Sequence, residues 1–237
     1  MVPLYVRVAD KLEARIAHQP VGAEVPSENE LARQHKISRL TARASLEELE
    51  RRFLVRRARG KRRSVARRID YIIGPNRSPS WSEAVALADA TPYSQTERLQ
   101  LRAPTAAVRE TLGLDGRSNA LFLSRLRYVN GELAACADTW LAPDLVPLFA
   151  ERMAPDASLH AVLSEIYRLA PRRDWARAES VFASTAIARR LGLPGRQLVS
   201  RLTGVTFSRK LGRPIELTTS WLRADVFNIV FELGSPP

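Results

Sequence analysis

The chain has 237 residues, with 37 Lys or Arg against 25 Asp or Glu and a formal charge of +12. That length suits one large domain or two small ones, and an apolar content of 45% excludes a disordered basic tail. The charge is unevenly distributed, because residues 1–68 hold 17 basic and 8 acidic residues, a net charge of +9. Such a region is typical of a surface that faces a polyanion or, alternatively, of a solvated charged face.

The sequence lacks the motifs of several protein classes. Cys136 is the only cysteine, which excludes an internal disulfide and a cysteine zinc site. The three histidines are scattered, and there is neither a nucleophile motif nor a glycine-rich phosphate loop. We therefore expect no catalytic residue, no metal and no cofactor. No apolar stretch approaches the roughly 20 residues of a membrane span, and no signal-peptide pattern is present. We expect a cytoplasmic protein without membrane contact.

Three helices are predicted in the first 51 residues. Leu4, Val8, Leu12 and Ile16 recur at helical spacing and form one apolar stripe. A second, short helix follows Ser27, which forms a capping box with the glutamate three residues later, and ends near residue 35.

The third predicted helix follows a tight turn. Ser38 is placed to cap it, and its inward stripe consists of Ala42, Ser45, Leu46 and Leu49. The opposite face presents Arg39, Leu40 and Arg43. Two helices joined by a three-residue turn, with arginines at the start of the second, indicate a helix-turn-helix.

Two short strands, 54–57 and 64–66, flank a basic tip and predict a wing. Residues 3–66 are then a winged helix-turn-helix. Within it, Arg39 and Arg43 are of the type that contacts guanine edges, and Thr41 suits a phosphate or a thymine methyl. Lys61, Arg62 and Arg63 at the wing are expected to contact phosphates, which fixes register but carries no sequence information.

The remainder of the chain shows a different periodicity. Residues 69–82 include a Gly-Pro-Asn-Arg-Ser-Pro stretch and are predicted to be a linker. Strand-like segments 121–129 and 133–141 flank Asn130-Gly131, a strong hairpin signal, and 198–208 pairs similarly with 214–223. Each hairpin follows a short helix and a Leu-Gly-Leu turn, so that residues 107–126 and 186–202 form an internal repeat. We expect one antiparallel sheet with pseudo-symmetry, and a helix over 158–169 between its halves.

The first part resembles the DNA-binding domain of the GntR transcription regulators. The resemblance is carried by Pro3-Leu4-Tyr5, Pro26-Ser27-Glu28-x-Glu30-Leu31-Ala32 and Ser38-Arg39-x-Thr41-x-Arg43. It implies that Ser27, Glu28 and Ser38 belong to the DNA-binding surface together with the arginines.

The second part resembles the UTRA effector domain of the HutC branch, through Leu123-Ser124-Arg125-Leu126-Arg127, Asn130-Gly131, Arg213-Pro214-Ile215-Glu216 and Arg223-Ala224-Asp225. Ile73-Gly74, Trp81-Ser82-Glu83 and the ending that begins at Asp225 are most similar to regulators of phosphonate metabolism. The expected fold class is α+β: an N-terminal winged helix-turn-helix (1–68), the linker (69–82) and a C-terminal antiparallel-sheet, chorismate-lyase-like effector and dimerisation domain (83–237).

The resemblance also implies partners and a mechanism. These are a homodimer, a palindromic double-stranded DNA operator and a small anionic effector, such as a phosphonate, phosphate ester or carboxylate, which releases a repressor. Position matching to the family assigns six effector-binding residues: Ser82, Arg125, Arg127, Ser158, His160 and Glu216. The alternative for the strand arginines is pairing with Asp138 or Glu132 across the hairpin.

Some positions depart from the family pattern. Phe53 stands where a helix-ending glycine is usual, and Arg62 replaces the second wing glycine. Ala137 and Leu222 stand where amino-sugar-responsive relatives have Glu and Tyr, which favours a smaller anion. Two other functions are considered, a nonspecific architectural nucleic-acid binder and a lyase-type enzyme. Trp140, Trp221 and Cys136 are expected to be core residues.

Overall fold

The computed structural model describes residues 2–57, 62–75 and 77–233, and the chain divides into two compact units after Arg68. The first unit contains three helices and a short two-stranded sheet. Its elements are α1 (Leu4–Ile16), α2 (Glu28–His35), α3 (Arg39–Arg51), β1 (Val55–Arg57) and β2 (Arg63–Val65). None of the helices in the described ranges has the length and apolar character needed to cross a bilayer.

Local sequence explains where α2 and α3 begin. The Ser27 hydroxyl accepts the backbone N–H of Glu30 at 3.3 Å, and the Glu30 carboxylate accepts the N–H of Ser27 at 2.7 Å, which completes the predicted capping box. Ser38 caps α3 by accepting the N–H of Thr41 at 3.1 Å. The predicted apolar stripes of α1 and α3 then meet in one buried cluster around Leu12, Leu46 and Leu49.

Helix α3 ends in a left-handed residue that is not glycine. Phe53 has φ +59°. Its N–H bonds to the carbonyl of Glu50, and the N–H of Leu54 bonds to the carbonyl of Leu49, which is the Schellman pattern. The guanidinium of Arg68 lies over the Phe53 ring, 4.8 Å from its centre. The expected glycine cap is thus built with phenylalanine, at a conformational cost that the ring contacts offset in part.

The predicted wing is present in the described residues. β1 and β2 pair antiparallel, with Val55 opposite Val65, and both valines are buried in the core of the unit. Lys61 and the rest of the tip at 58–60 lie outside the described residues, and the predicted contact of Lys61 with phosphate stays a prediction.

The second unit is built mainly from strands. Its described residues form eight strands, five α-helices and two short helical turns: β3 (Ile69–Ile73), α4 (Trp81–Ala86), β4 (Pro92–Arg102), α5 (Ala106–Leu112), β5 (Ala120–Val129), β6 (Glu132–Leu141), a 3₁₀ turn (Pro143–Leu145), α6 (Phe149–Arg152), α7 (Leu159–Ala161), a π-helical turn (Val162–Ile166), β7 (Pro171–Phe182), α8 (Thr185–Arg190), β8 (Leu198–Ser208), β9 (Arg213–Arg223) and β10 (Phe227–Phe231).

The principal sheet has six antiparallel strands in the order β4-β5-β6-β9-β8-β7. Its two halves, β4-α5-β5-β6 and β7-α8-β8-β9, repeat the same order of elements and meet at β6 and β9, which confirms the predicted pseudo-symmetric antiparallel sheet. The repeated Leu-Gly-Leu turns have the same geometry, because Gly113 (φ +61°) and Gly192 (φ +62°) each end a helix in a Schellman motif.

The predicted linker is wrong for much of 69–82. Residues 69–73 form β3, which pairs in parallel with β10, and Tyr71 and Ile73 are buried. Trp81 begins α4 and is buried as well. This strand was not predicted for two reasons. The stretch that follows it is polar and contains prolines, and its partner, residues 227–231, is more than 150 positions away. The second unit therefore begins at Ile69 rather than at residue 83.

Two further expectations need correction. The helix predicted over 158–169 is shorter, since α7 has three residues and passes into the π-helical turn, which ends at Ile166. The outer strands β4 and β7 were not predicted. Both are edge strands with mostly exposed or half-exposed side chains, so they lack the apolar alternation that marked the inner strands.

Two apolar clusters cover one face of the six-stranded sheet. The first packs α6, α7 and the helical turns on Leu121, Leu123 and Ile215. The second packs β3, α4 and β10 on Ala135, Leu202 and Leu222. A third cluster, with α8 and Cys136, lies on the opposite face. The strip of sheet between the first two clusters carries polar side chains.

We predict that Phe53→Gly makes the first unit more stable than Phe53→Ala, by about 1 kcal/mol, because both variants lose the ring but only glycine adopts positive φ without cost. Unfolding in urea followed by far-ultraviolet circular dichroism measures this difference. All four tryptophans, residues 81, 140, 175 and 221, lie in the second unit, so their fluorescence serves as an internal control that both variants leave unchanged. An alanine variant as stable as the glycine variant would contradict the prediction.

Candidate functional site

The N-terminal half of α3 presents an exposed basic face in the first unit. The side chains of Arg39 and Arg43 are largely solvent-accessible, and Leu40 between them is 75% exposed. Ala42, Leu46 and Leu49 hold the opposite face in the core. The helix therefore projects the two arginines away from the unit, as the sequence predicts.

Glu28 links these arginines to each other. Arg43 donates Nε to Glu28 Oε1 at 3.2 Å and Nη2 to Oε2 at 3.1 Å, and Arg39 donates Nε at 3.4 Å. The hydrogen bond from Arg43 holds the pKa of Glu28 below its usual value. Exposed ion pairs of this kind contribute little free energy, so a base or a phosphate can replace Glu28 as the partner at small cost.

The other predicted DNA-binding residues divide into helix caps and wing cations. Ser27 and Ser38 are N-caps, and the Ser38 and Thr41 hydroxyls lie 2.8 Å apart. Arg62 is exposed and reaches Glu24 at 3.1 Å. Arg63 differs from expectation, since its side chain is only 12% exposed and bonds Glu50 at 2.7 Å. This structural ion pair does not support the predicted contact of Arg63 with phosphate.

The polar strip of the second unit forms a cavity. It is lined by side chains from the sheet and from the segments that cover it: Tyr71, Pro79, Trp81, Ser82, Ser94, Arg125, Arg127, Ser158, Leu159, His160, Leu163, Pro171, Arg173, Leu202, Gly204, Thr206, Glu216, Thr218 and Ser220. All six residues assigned to the effector by resemblance are in this set. They come from four separate parts of the chain and are brought together only by the fold.

Strand alternation explains why the two arginines enter the cavity. Arg125 and Arg127 are two residues apart on β5 and therefore share a face. Their partners in register on β6 are Ala137 and Ala135, whose small side chains leave room above the sheet. The Arg127 Nη1 atom reaches across to the Ser220 hydroxyl on β9 at 3.4 Å.

The alternative pairing of the strand arginines with Asp138 is wrong. Asp138 is in register with Ser124, so it lies on the opposite face of the sheet, where it pairs with Arg190 at 3.1 Å. Glu132 lies at the hairpin end, opposite Val129. Within the described part of the chain, neither Arg125 nor Arg127 has a carboxylate within ion-pair distance.

Burial perturbs the charged groups of the cavity. Arg125 is 3% exposed and Arg127 is 7% exposed. Loss of solvation, reinforced by the neighbouring Arg127, lowers the pKa of Arg125 to about 9, and burial lowers the pKa of Arg127 as well. An anion in the cavity would raise both pKa values again, because it stabilises the charged forms.

His160 contributes a hydrogen bond rather than a charge. Burial lowers the pKa of its imidazole below the usual value, so the ring is mainly neutral near pH 7. Its Nε2 atom lies 3.2 Å from the Ser78 hydroxyl. Ser158 caps the turn that begins α7, because its hydroxyl accepts the N–H of Ala161 at 3.4 Å.

Four buried polar atoms of this cavity have no hydrogen-bond partner in the described structure. They are Arg125 Nε, Arg127 Nε, Trp81 Nε1 and Glu216 Oε2. Most buried polar groups in folded proteins are bonded, and unsatisfied ones need a specific explanation. Their presence in one cavity, together with two unpaired guanidinium groups, points to a small polar ligand that carries negative charge.

The cavity is small. It offers about 50 Å³ to the centres of water molecules, and one water needs roughly 10–15 Å³ on that measure. The space therefore matches a ligand about the size of a few waters.

Sequence reasoning missed several residues of the cavity. Thr218 and Ser220 alternate with Glu216 along β9, so a strict period of two would have found them. Tyr71 and Trp81 lie in the segment predicted to be a linker; Tyr71 belongs to no motif, and Trp81 is part of the resemblance only, without a predicted role in the cavity. Trp81 supports Arg127, whose guanidinium lies 5.1 Å from the ring centre.

The expected core residues lie away from this cavity. Trp140 packs against Phe122, with ring centres 4.9 Å apart, and Trp221 packs against the cluster that contains Cys136. Cys136 is fully buried, and burial raises the pKa of its thiol to about 12. Cys136 is therefore a core residue as predicted, whereas Trp140 and Trp221 are half-buried and pack beside other side chains rather than in the core.

Comparison with known families matches both units. Residues 4–65 match the family described as bacterial regulatory proteins, gntR family, and residues 88–228 match the UTRA domain. Ser82 and Trp81 precede the second match, so the cavity includes residues outside that segment.

Known proteins resemble the chain over nearly its full length. It is 27% identical to "Probable transcriptional regulator PhnF" of Escherichia coli K12 over 230 residues. This aligned region covers 96% of this chain and 94% of the relative. It is 23% identical to "HTH-type transcriptional regulator GgaR" of the same organism, covering 97% and 91%. The crystal structure of PhnF from Mycobacterium smegmatis superposes with a TM-score of 0.66 at 22% identity, covering 97% and 99%. Both sequence relatives are named as regulators, which favours regulation over the lyase alternative.

We predict that Arg125→Met stabilises the second unit in the absence of ligand, by roughly 1–2 kcal/mol, because an unpaired buried charge costs more than an apolar side chain of similar length. Urea unfolding followed by tryptophan fluorescence measures the change. Arg172→Met, at an exposed arginine paired with Asp174, is the matched control and is expected to be neutral. A loss of stability in the Arg125 variant would show that the guanidinium is satisfied without a ligand.

Proposed function

Because the chain belongs to the GntR family of bacterial regulatory proteins, carries a UTRA domain and is a transcriptional regulator of that type, we propose that it is a ligand-responsive repressor. A homodimer binds a palindromic operator in the cytoplasm, and a small anionic metabolite in the cavity lowers operator affinity. The observation that carries the proposal is the cavity, in which two buried arginines have no carboxylate partner within ion-pair distance among the described residues and three hydrogen-bond donors, Arg125 Nε, Arg127 Nε and Trp81 Nε1, are unsatisfied.

The geometry of α3 supports sequence-specific DNA binding. Arg39 and Arg43 project from the N-terminal turns of the second helix of a helix-turn-helix, which is the part that contacts base edges in such motifs. Glu28 holds the two guanidiniums beside each other before DNA arrives. Arg62 adds an exposed cation at the wing, where it suits a phosphate contact.

The chemistry of the cavity supports an oxyanion as the effector. Two guanidiniums on one strand face offer the planar donor pairs that phosphate, phosphonate and carboxylate groups accept. Ser82, Ser158 and His160 add neutral polar groups around them. Ala137 and Leu222 stand where amino-sugar-responsive relatives have Glu and Tyr, and this difference, like the small volume, favours a smaller anion. Phosphonates are the first candidates because of the resemblance to regulators of phosphonate metabolism.

We predict that Arg43→Ala weakens binding to an operator selected from random DNA by roughly ten- to a hundredfold, the loss expected for a bidentate base contact of about 1–3 kcal/mol. Fluorescence anisotropy with the selected operator and with a scrambled duplex measures both affinities. Arg51→Ala, at an exposed arginine at the other end of α3 paired with Glu48, is the matched control.

Full retention of specific binding by the Arg43 variant would refute its role in base recognition. Equal affinity of the wild type for operator and scrambled DNA at every salt concentration would instead favour the nonspecific architectural binder.

We predict that a small phosphonate, phosphate ester or carboxylate raises the melting temperature of the wild type and releases the operator. Binding that occurs only to the folded state stabilises it in proportion to the logarithm of ligand concentration. A thermal-shift screen followed by anisotropy with the operator tests both effects. The double variant Arg125→Ala and Arg127→Ala is expected to lose the response. A ligand whose effect survives in the double variant would place the effector site elsewhere.

A further inference from the structure

The cavity has a cationic side formed by two arginines. Arg125 donates no hydrogen bond to a side chain of the described residues, and the Nε atoms of both arginines are unsatisfied. The Arg127 guanidinium is held between the Trp81 ring and the Ser220 hydroxyl. The indole Nε1 of Trp81 is a third unsatisfied donor. This side of the cavity therefore presents donors and positive charge to a ligand.

Glu216 on β9 requires the opposite of what the arginines require, namely a hydrogen-bond donor and a positive charge from the ligand. Its Oε1 atom accepts the Thr206 hydroxyl at 2.8 Å, which fixes the carboxylate in the cavity wall. Its Oε2 atom is buried without a partner, and the residue is 8% exposed. No Lys, Arg or His of the described chain forms an ion pair with it. A buried carboxylate with an open lone pair needs a donor, and its charge needs a cation.

The arginines, which require an anion, and Glu216, which requires a cation, lie apart in the cavity. Glu216 lies more than 4 Å from either guanidinium, since no ion pair joins them, yet all three side chains line one small cavity. In the register of the sheet, Arg125 lies in the row of Ser220, whereas Glu216 lies four residues earlier on β9 and pairs with Thr206. A ligand that satisfies both must carry different groups at its two ends. The neutral imidazole of His160 does not supply the missing cation.

We propose that the effector is a small zwitterion, with an oxyanion bound by Arg125 and Arg127 and an ammonium group that donates to Glu216. This inference rests on the proposed function, because it takes the cavity to be the effector site. The ammonium is preferred to a hydroxyl because it neutralises the buried carboxylate as well as filling its open acceptor. The oxyanion neutralises the arginines in the same way, so ligand and cavity are complementary in charge at both ends.

Three phosphonates with the same two-carbon chain and a different terminal group test the ammonium end: ethylphosphonate, 2-hydroxyethylphosphonate and 2-aminoethylphosphonate. Isothermal titration calorimetry with the full chain is expected to give an affinity for the amine about tenfold or more above that for ethylphosphonate, as for a charge-assisted hydrogen bond. Butyrate and 4-aminobutyrate repeat the comparison for carboxylates and decide which oxyanion is bound. Equal affinities within both series, or no binding of either amine, would overturn the inference.

Glu216→Gln is expected to reduce the ratio of the two affinities, amine over ethylphosphonate, from about tenfold or more to about one, since glutamine keeps the size but not the charge. Glu179→Gln, at a carboxylate on β7 paired with Arg201, is the control that keeps the preference. A preference that survives Glu216→Gln would overturn the inference. If Glu216→Gln does not fold, the wild-type series alone decides.

The outcomes separate this inference from the proposed function. If ethylphosphonate binds as tightly as the amine, and the double variant of Arg125 and Arg127 abolishes binding, the cavity is an anion site and only the zwitterion is wrong. If no oxyanion depends on these arginines, the proposed effector site itself fails.

Discussion

Two guanidinium groups buried without a counter-ion impose the constraint around which the second unit is arranged. Their burial is costly, because charge is moved out of water without an ionic partner. The fold accommodates them with alanines at their register positions on β6, a tryptophan ring beneath one of them and a hydroxyl from β9. An anion bound beside these guanidiniums would stabilise their charged forms, which is why we propose an anionic effector.

The same cavity is lined in part by the segment with which the second unit begins. Tyr71 and Trp81, which line it, lie within the stretch that follows Arg68 in the chain. β3 holds this stretch in place by pairing with β10, and Tyr71, Trp81 and Phe227 pack their rings together. A ligand that binds Arg127 therefore acts on a side chain that rests on Trp81. If the cavity binds the proposed effector, we expect this stretch to be the part of the second unit through which the ligand acts on the chain next to Arg68.

In the first unit, an acidic residue organises the basic surface. Glu28 accepts hydrogen bonds from Arg39 and Arg43 and lies 3.6 Å from Arg63. Ordering two flexible side chains before binding reduces the entropy lost when DNA is bound. The high positive charge of this unit is thus partly paired within itself. Arg63 on the wing strand is largely buried and paired with Glu50, whereas Arg39, Arg43 and Arg62 are accessible.

Local patterns in the sequence determined the three N-terminal helices, their serine caps, the wing strands, both hairpins and the repeat, because each depends on residues close in the chain. They also determined which arginines share a face, since alternation along a strand is a local property. Tertiary structure alone decided that β3 pairs with β10, that Asp138 lies on the far side of the sheet, and that Arg63 is largely buried in an ion pair with Glu50. It also placed Glu216 and Trp81 in the same cavity as the arginines. These placements join positions distant in sequence, so they depend on strand register and packing rather than on any local pattern.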